Sequence, residues 1–392
     1  MKVGILTYHS VCNFGANLQA LSTFSYFKKK GYDVKIINWY PENLEKYYLK
    51  KIPIVQQRAH RQFVEKYFIL TELCRTKEDV DRVLRKEQFD GIVIGSDAVF
   101  SYIPFLQRIH PSRKTFIGVT RVSDDHKYPN PFWGEFDSNA KLFSMSVSAQ
   151  YLDIDKCLPW TKRKIKRSLS RFEYISVRDR WTKGILEKLL GKSVELTPDP
   201  VFGFNDNVKI DESTIDVILK KYDLGEDYII LSFCDKIYPD IWFNKLYQLL
   251  KEKNITVVNL SMPEGLIDIR ADVSIDVPIN PIEWYILIMK SKGYIGQRMH
   301  PMIVALNNLV PFFVFDHYAY KKGGKKNESS KIYDILERAN LLELYQDVNS
   351  KMVDAIIVVE RIMSFDKPKV QKFIEEYSNM YHNMMSKITE NI

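Results

Sequence analysis

Arg298 and His300 stand two residues apart in Gly293-Tyr294-Ile295-Gly296-Gln297-Arg298-Met299-His300-Pro301-Met302. The spacing predicts a short strand ending at Gly296 and a helix starting at Pro301, because proline suits a first helical turn whose N–H groups are unpaired anyway. His300 then falls near the N-cap, with Arg298 on the same loop. A fixed guanidinium, a titratable imidazole and a helix dipole at a strand's carboxyl end together bind phosphate or carboxylate and can move a proton. A capping histidine beside a surface arginine would use the same residues for structure alone. Their place at a strand end where a ligand crevice is expected favours chemistry.

Other candidates share that placement. Arg178 follows the strand Tyr174–Val177, and an ion pair with Asp179 or Asp199 is its bland alternative. Asp97 closes the apolar strand Gly91–Gly95 and could accept a sugar hydroxyl or cap a turn. The loop Thr7–Ala20 leads into the first helix, so Gly15, Ala16 and Asn17 lie where free N–H groups attract an anion or a polar sugar. An ordinary βα loop, with Asn13 as turn residue and Asn17 capping, fits equally well. It is not a GxGxxG fingerprint. The run Lys321-Lys322-Gly323-Gly324-Lys325-Lys326 reads as a basic loop from which one lysine could reach an anion. Lys156–Arg171 holds seven basic residues and no acidic one around Trp160, an exposed helix suited to anionic lipid or phosphate. His9, His60, His110, His126, His317 and His382 show no metal-ligand spacing, so no metal site is expected.

The elements that must hold these residues alternate. Strands are expected at Lys2–Thr7, Asp33–Asn38, Gly91–Gly95, Leu142–Val147, Tyr174–Val177 and Ser193–Leu196. A second series follows at Tyr228–Phe233, Thr256–Leu260, Val273–Val277, Gly293–Gly296 and Pro311–Phe315. Several are apolar throughout, as strands buried on both faces of a parallel sheet must be. Helical periodicity fills the gaps at Leu18–Lys30, Glu78–Lys86, Thr182–Leu190, Ile241–Lys251 and Pro281–Lys290. The pattern is α/β, doubly wound. It pauses at Thr197–Pro200 and Asn205–Asn207. This divides the chain into a Rossmann-like domain over 1–204, a second over 205–360 carrying Arg298 and His300, and a C-terminal amphipathic helix over 361–392.

The length of 392 residues suits two domains, and 45% hydrophobic residues suffice for two cores. Four scattered cysteines without a CxxC pair exclude a disulfide scaffold and a cysteine-based zinc site. No apolar run approaches the ~18–20 residues of a membrane span, and the start shows no signal-peptide pattern, so a soluble, cytoplasmic protein is expected. A net charge of +8 is mild for this length and suits small anions or a membrane surface better than nucleic acid.

Taken in order, Thr7–Ala20, Phe89–Asp97, Ile175–Asp179, Asp199-Pro200, Asn280–Trp284, Gly293–His300 and Pro311 resemble the polysaccharide pyruvyl transferase family. The resemblance implies two Rossmann-like domains facing across a cleft, similar to GT-B glycosyltransferases. It also implies transfer of an enolpyruvyl-derived group from phosphoenolpyruvate to a sugar, giving a pyruvate ketal and phosphate, with no cofactor. By the same resemblance Arg178, Arg298, His300 and Lys321 (or Lys322) contact phosphoenolpyruvate, and His300 with Arg298 carries the catalysis. Asn13, Gly15, Asn17 and Asp97 would face the sugar acceptor, lipid- or nucleotide-linked, with peripheral membrane contact. This chain departs from some relatives in having Ala16 where they carry Asp; Asn17 or Asp97 would take that role. A nucleotide-sugar glycosyltransferase, with Glu283 as the ribose contact, and a non-catalytic sugar- or anion-binding protein are the alternatives.

Overall fold

The computed structural model describes residues 1–112, 116–150, 152–317 and 330–392. In chain order the first half supplies β1 (Lys2–Leu6), β2 (Asp33–Ile36), β3 (Gly91–Asp97), a β4 (Ile109–Ser112) and β5 (Phe116–Val119) hairpin, β6 (Lys141–Val147), β7 (Phe172–Val177) and β8 (Glu195–Leu196). The second half supplies β9 (Tyr228–Ser232), β10 (Thr256–Leu260), β11 (Val273–Ile275), β12 (Gly293–Gln297), β13 (Phe312–Asp316) and β14 (Tyr345–Asp347). Two six-stranded parallel sheets result, ordered β2-β1-β3-β6-β7-β8 and β11-β10-β9-β12-β13-β14. The continuous apolar runs explain this: Val3, Ile5, Ile92, Val93 and Ile94, like Ile229, Ile230 and Leu231, are fully buried because helices cover both faces.

The direction in which successive strands are added to the sheet reverses between β1 and β3, and again between β9 and β12. At such points the loops diverge and leave a crevice beyond the strand ends. The first crevice is bordered by the loop after Leu6 and by Asp97; the second is bordered by the residues after Ser232 and by Arg298. Among the described residues no helix is long and apolar enough to cross a membrane.

The domains share a core. The helix Phe14–Lys29 starts at Asn13, whose side chain accepts from the Ala16 N–H, and buries nearly all its residues. It packs on its own sheet and on the helices Pro281–Met289 and Met299–Asn307 of the other domain. Phe14 stacks on Trp284, ring centres 5.0 Å apart. Gln56, on the helix Ile54–Tyr67, clamps Ile279 by donating to its carbonyl at 2.8 Å and accepting from its N–H at 2.7 Å.

The last helix, Lys367–Asn391, leaves the second domain and lies on the first sheet. Met384 Sδ accepts from the hydroxyls of Ser146 and Ser176 at 3.2 and 3.4 Å. Lys387 pairs with Glu195 on β8 at 2.7 Å. Expected boundaries move: the first helix starts at Phe14 and not Leu18, and the last runs Lys367–Asn391 rather than over 361–392. The helix after β12 starts at Met299 with Arg298 as N-cap, so Pro301 sits third and not first. The first turn tolerates proline at either place because neither N–H has an intrahelical partner.

Candidate active site

Asp199 is the hub of the domain junction. It follows the end of β8 and caps the turn Pro200–Gly203, accepting from the Val201 N–H through Oδ1 at 3.0 Å. Its other oxygen, Oδ2, accepts from Arg178 Nη1 at 2.7 Å and from Gln19 Nε2. Arg178 also donates from Nη2 to Asp97 at 2.8 Å. The bland alternative for Arg178 is therefore real: it forms an ion pair, and with two carboxylates. Burial makes the pairs consequential, since the Arg178 and Asp199 side chains are 3% and 1% exposed. Burial alone would raise both carboxyls. The charges of Arg178 and His300, joined by Lys331 at Asp97, hold both below the ordinary carboxylate range instead.

His300 reaches this hub from the second domain. Its Nε2 lies 3.7 Å from Asp199 Oδ2, an electrostatic contact longer than a hydrogen bond. The ring rests directly on Gly15 of the first loop, where any larger residue would displace it. Gly15, Gln19, Asp97, Arg178, Asp199 and His300 thus gather from five separate stretches. Three of their polar atoms are buried with no hydrogen-bond partner among the described residues: Gln19 Oε1, Arg178 Nε and His300 Nε2. Unmet buried groups of this kind call for a partner, which a water, an ion or a ligand atom can supply.

One cation at this site was not anticipated. Lys331 opens the helix Lys331–Arg338, capped by Ser330, and lines a small pocket with Arg178, Asp199, Met299, Arg338 and Tyr377. It makes no ion pair with a described residue. Burial first, then the like charge of Arg178, pushes its ammonium down to about 8. Arg338 beside it is paired to Asp334 at 2.7 Å and donates to the Arg178 carbonyl at 3.4 Å. Lys321 and Lys322 lie outside the described residues.

Arg298 points elsewhere. Its backbone is left-handed, φ +74°, and its guanidinium donates to Cys234 Sγ at 2.8 Å and to Glu264 at 2.6 Å. It sits at the second crevice, beyond β9 and β12, rather than in the Asp199 cluster. Asn13 is the N-cap of the first helix. Asn17 is fully buried and staples the loop by donating to the His9 carbonyl at 2.8 Å. Ala16 is buried in the first core. Asp97 is left-handed, φ +81°, and its Oδ1 accepts from the Ala98 N–H as well as from Arg178. Glu283 closes a capping box with Asn280 and pairs with Lys221, so it is committed to its own helix. Burial pushes the Cys12 thiol in the first loop up to about 12, which keeps it from acting as a nucleophile.

Two Rossmann-like domains with a charged cluster at their junction define a GT-B-like protein. The overall fold agrees over the whole chain with a UDP-GlcNAc 2-epimerase from Neisseria meningitidis bound to UDP-GlcNAc, at TM-score 0.52 and 9% identity, covering 100% of this chain and 99% of that one. A Listeria monocytogenes protein provisionally described as a UDP-N-acetylglucosamine 2-epimerase is similar at TM-score 0.53 and 9% identity, covering 99% and 95%. At such identities the likeness concerns the fold alone. No curated protein matches the chain. The family description "Polysaccharide pyruvyl transferase" matches residues 13–318, well over half of the sequence, and the chain belongs to that family of transferases.

Proposed function

We propose that the protein transfers the enolpyruvyl-derived group of phosphoenolpyruvate onto two hydroxyls of a sugar in a surface-polysaccharide precursor, forming a pyruvate ketal and releasing phosphate. One observation carries this reading: His300 of the second domain meets Gly15 and Asp199 of the first, Asp199 holds Arg178, and Lys331, which pairs with no described residue, lines the same pocket.

The chemistry follows from the residues. Phosphoenolpyruvate brings a carboxylate and a phosphate, so it needs several donors and net positive charge. Lys331 supplies the uncommitted charge and Arg178 Nε an uncommitted donor. Protonated His300 gives a proton to the methylene carbon, C3, which leaves C2 electron-poor. A sugar hydroxyl adds to C2 and loses its proton. The bond from C2 to the phosphate oxygen breaks, phosphate departs, and the second hydroxyl adds to C2, losing its proton to close the ring. Proton transfer from a positioned side chain contributes ~10²–10⁴-fold, and preorganised cations stabilise the departing phosphate. Asp199, held ionised, orients the His300 ring. In this reading Arg298, now paired with Glu264 at the second crevice, joins the donor only once Glu264 yields.

The test is to incubate the protein with phosphoenolpyruvate and candidate sugars and to follow phosphate release, with the ketal identified by mass and NMR. Glycosyl transfer from a nucleotide sugar with phosphoenolpyruvate untouched would overturn the proposal. So would binding of both ligands without any turnover.

A further inference from the structure

One helix carries charge that no described residue answers. Pro159–Leu169 turns Ile165, Ser168 and Leu169 into the first domain. Its opposite stripe, at i, i+3, i+4 and i+7, is Trp160, Arg163, Lys164 and Arg167. The side chains of Arg163, Lys164 and Arg167 are exposed and make no ion pair or hydrogen bond with a described residue. Trp160 is 60% exposed at the head of this stripe, a costly place for an indole that faces only water.

Apolar surface lies close by. The short helix Phe105–Arg108 packs against the turn Ile154–Lys156 that leads into the basic helix. Phe105 and Leu106 on it are 50% and 49% exposed. A solvated helix face mixes both signs of charge and shows no bulky ring. A groove for nucleic acid has no use for the neighbouring Phe and Leu side chains. An indole at the edge of a cationic stripe, with exposed Phe and Leu on a helix packed against the preceding turn, matches the boundary of an anionic bilayer: the ring sits at headgroup depth and the cations meet lipid phosphates.

We propose that this face docks the protein on an anionic lipid surface, with Arg163, Lys164 and Arg167 on the headgroups and Trp160, Phe105 and Leu106 at the interface. The docking does not depend on the phosphoenolpyruvate chemistry; it extends that reading by making a lipid-carried sugar the accessible acceptor.

The experiment is co-sedimentation of the full chain with phosphatidylcholine vesicles, with and without phosphatidylglycerol. Binding is expected only with the anionic lipid and should fall as salt is raised. Arg163→Gln/Lys164→Gln/Arg167→Gln should lower partitioning by ~10²-fold, at about five-fold per charge. Trp160→Ala should lower it further and remove the blue shift of fluorescence on binding. Phosphate release with a soluble sugar should be unchanged in the triple variant, which shows it folded. If no turnover is found at all, the vesicle readout still decides the docking. Equal binding to neutral vesicles, indifference to the triple substitution, or binding to duplex DNA with anionic vesicles ignored would each overturn the proposal.

Discussion

The His300 ring occupies the space that any side chain on Gly15 would need: a Cβ there would fall 2.0 Å from Nδ1. The residue proposed to carry the proton thus belongs to one domain and is seated on the backbone of the other, and Gly15→Ala should unseat it. We expect phosphate release to fall ~10²-fold or more, as in His300→Ala, with an overpacking cost of about 1–3 kcal/mol. Turnover and thermal melting, measured together, separate the two effects; unchanged turnover would show that His300 does not act from this position.

Asp199→Asn should test the hub. Removing one partner of a buried ion pair costs about 3–5 kcal/mol, and the lower end is expected because Asp97 still holds Arg178. Asp97 is 16% exposed, so Asp97→Asn should cost less. Urea denaturation of both variants checks the order.

Lys331 gives a pH signature. With its ammonium pushed down to about 8, the charge that would hold the donor is lost as pH rises through that value. Affinity for phosphoenolpyruvate should therefore decline above pH 8, and binding near that pH should take up a proton, read by calorimetry in buffers of different ionisation heat. Between about 8 and the ordinary 10.5 the unfolded chain keeps a proton that the native one has lost, so this group makes stability rise with pH there. Lys331→Met should abolish the proton uptake and raise KM.

The ion pair of Arg298 with Glu264 is partly exposed, at 33% and 41%, and pairs of that kind are worth no more than about 1 kcal/mol. Glu264→Gln should accordingly lower the donor's KM by up to about five-fold, with kcat retained. Arg298→Ala should raise KM. No change in either variant would place the donor wholly in the Asp199 cluster.

The two sheets are legible in the sequence because runs such as Gly91–Gly95 and Tyr228–Phe233 have no polar face, and only a covered parallel sheet accommodates that. Strand order is not legible, since pairing is decided between distant segments. The helix Glu42–Lys51 buries only Leu44, so it carries almost no apolar period to detect. His300, Arg178 and Asp97 stand at strand or helix ends, where position is itself the signal. Asp199 is visible beforehand as one of two partners for Arg178 and as part of the Asp199-Pro200 match to the family, but not as the residue that joins Arg178, Gln19 and His300. Lys331 is invisible because its setting is made by contacts that skip along the chain: β7, the Pro200 turn and Tyr377 of the last helix. Arg298 shows the converse, for adjacency in sequence to His300 does not put both side chains in one cluster.

The return of Lys367–Asn391 to the first sheet fixes the order in which the molecule can mature on the ribosome. Strands β1 to β8 emerge early, yet Ser146, Ser176 and Gly91 must wait for Met384 and Ile392, which are made only after the whole second sheet. A truncated 1–204 fragment would keep that wound open and should aggregate, whereas adding the 367–392 peptide in trans should restore its solubility.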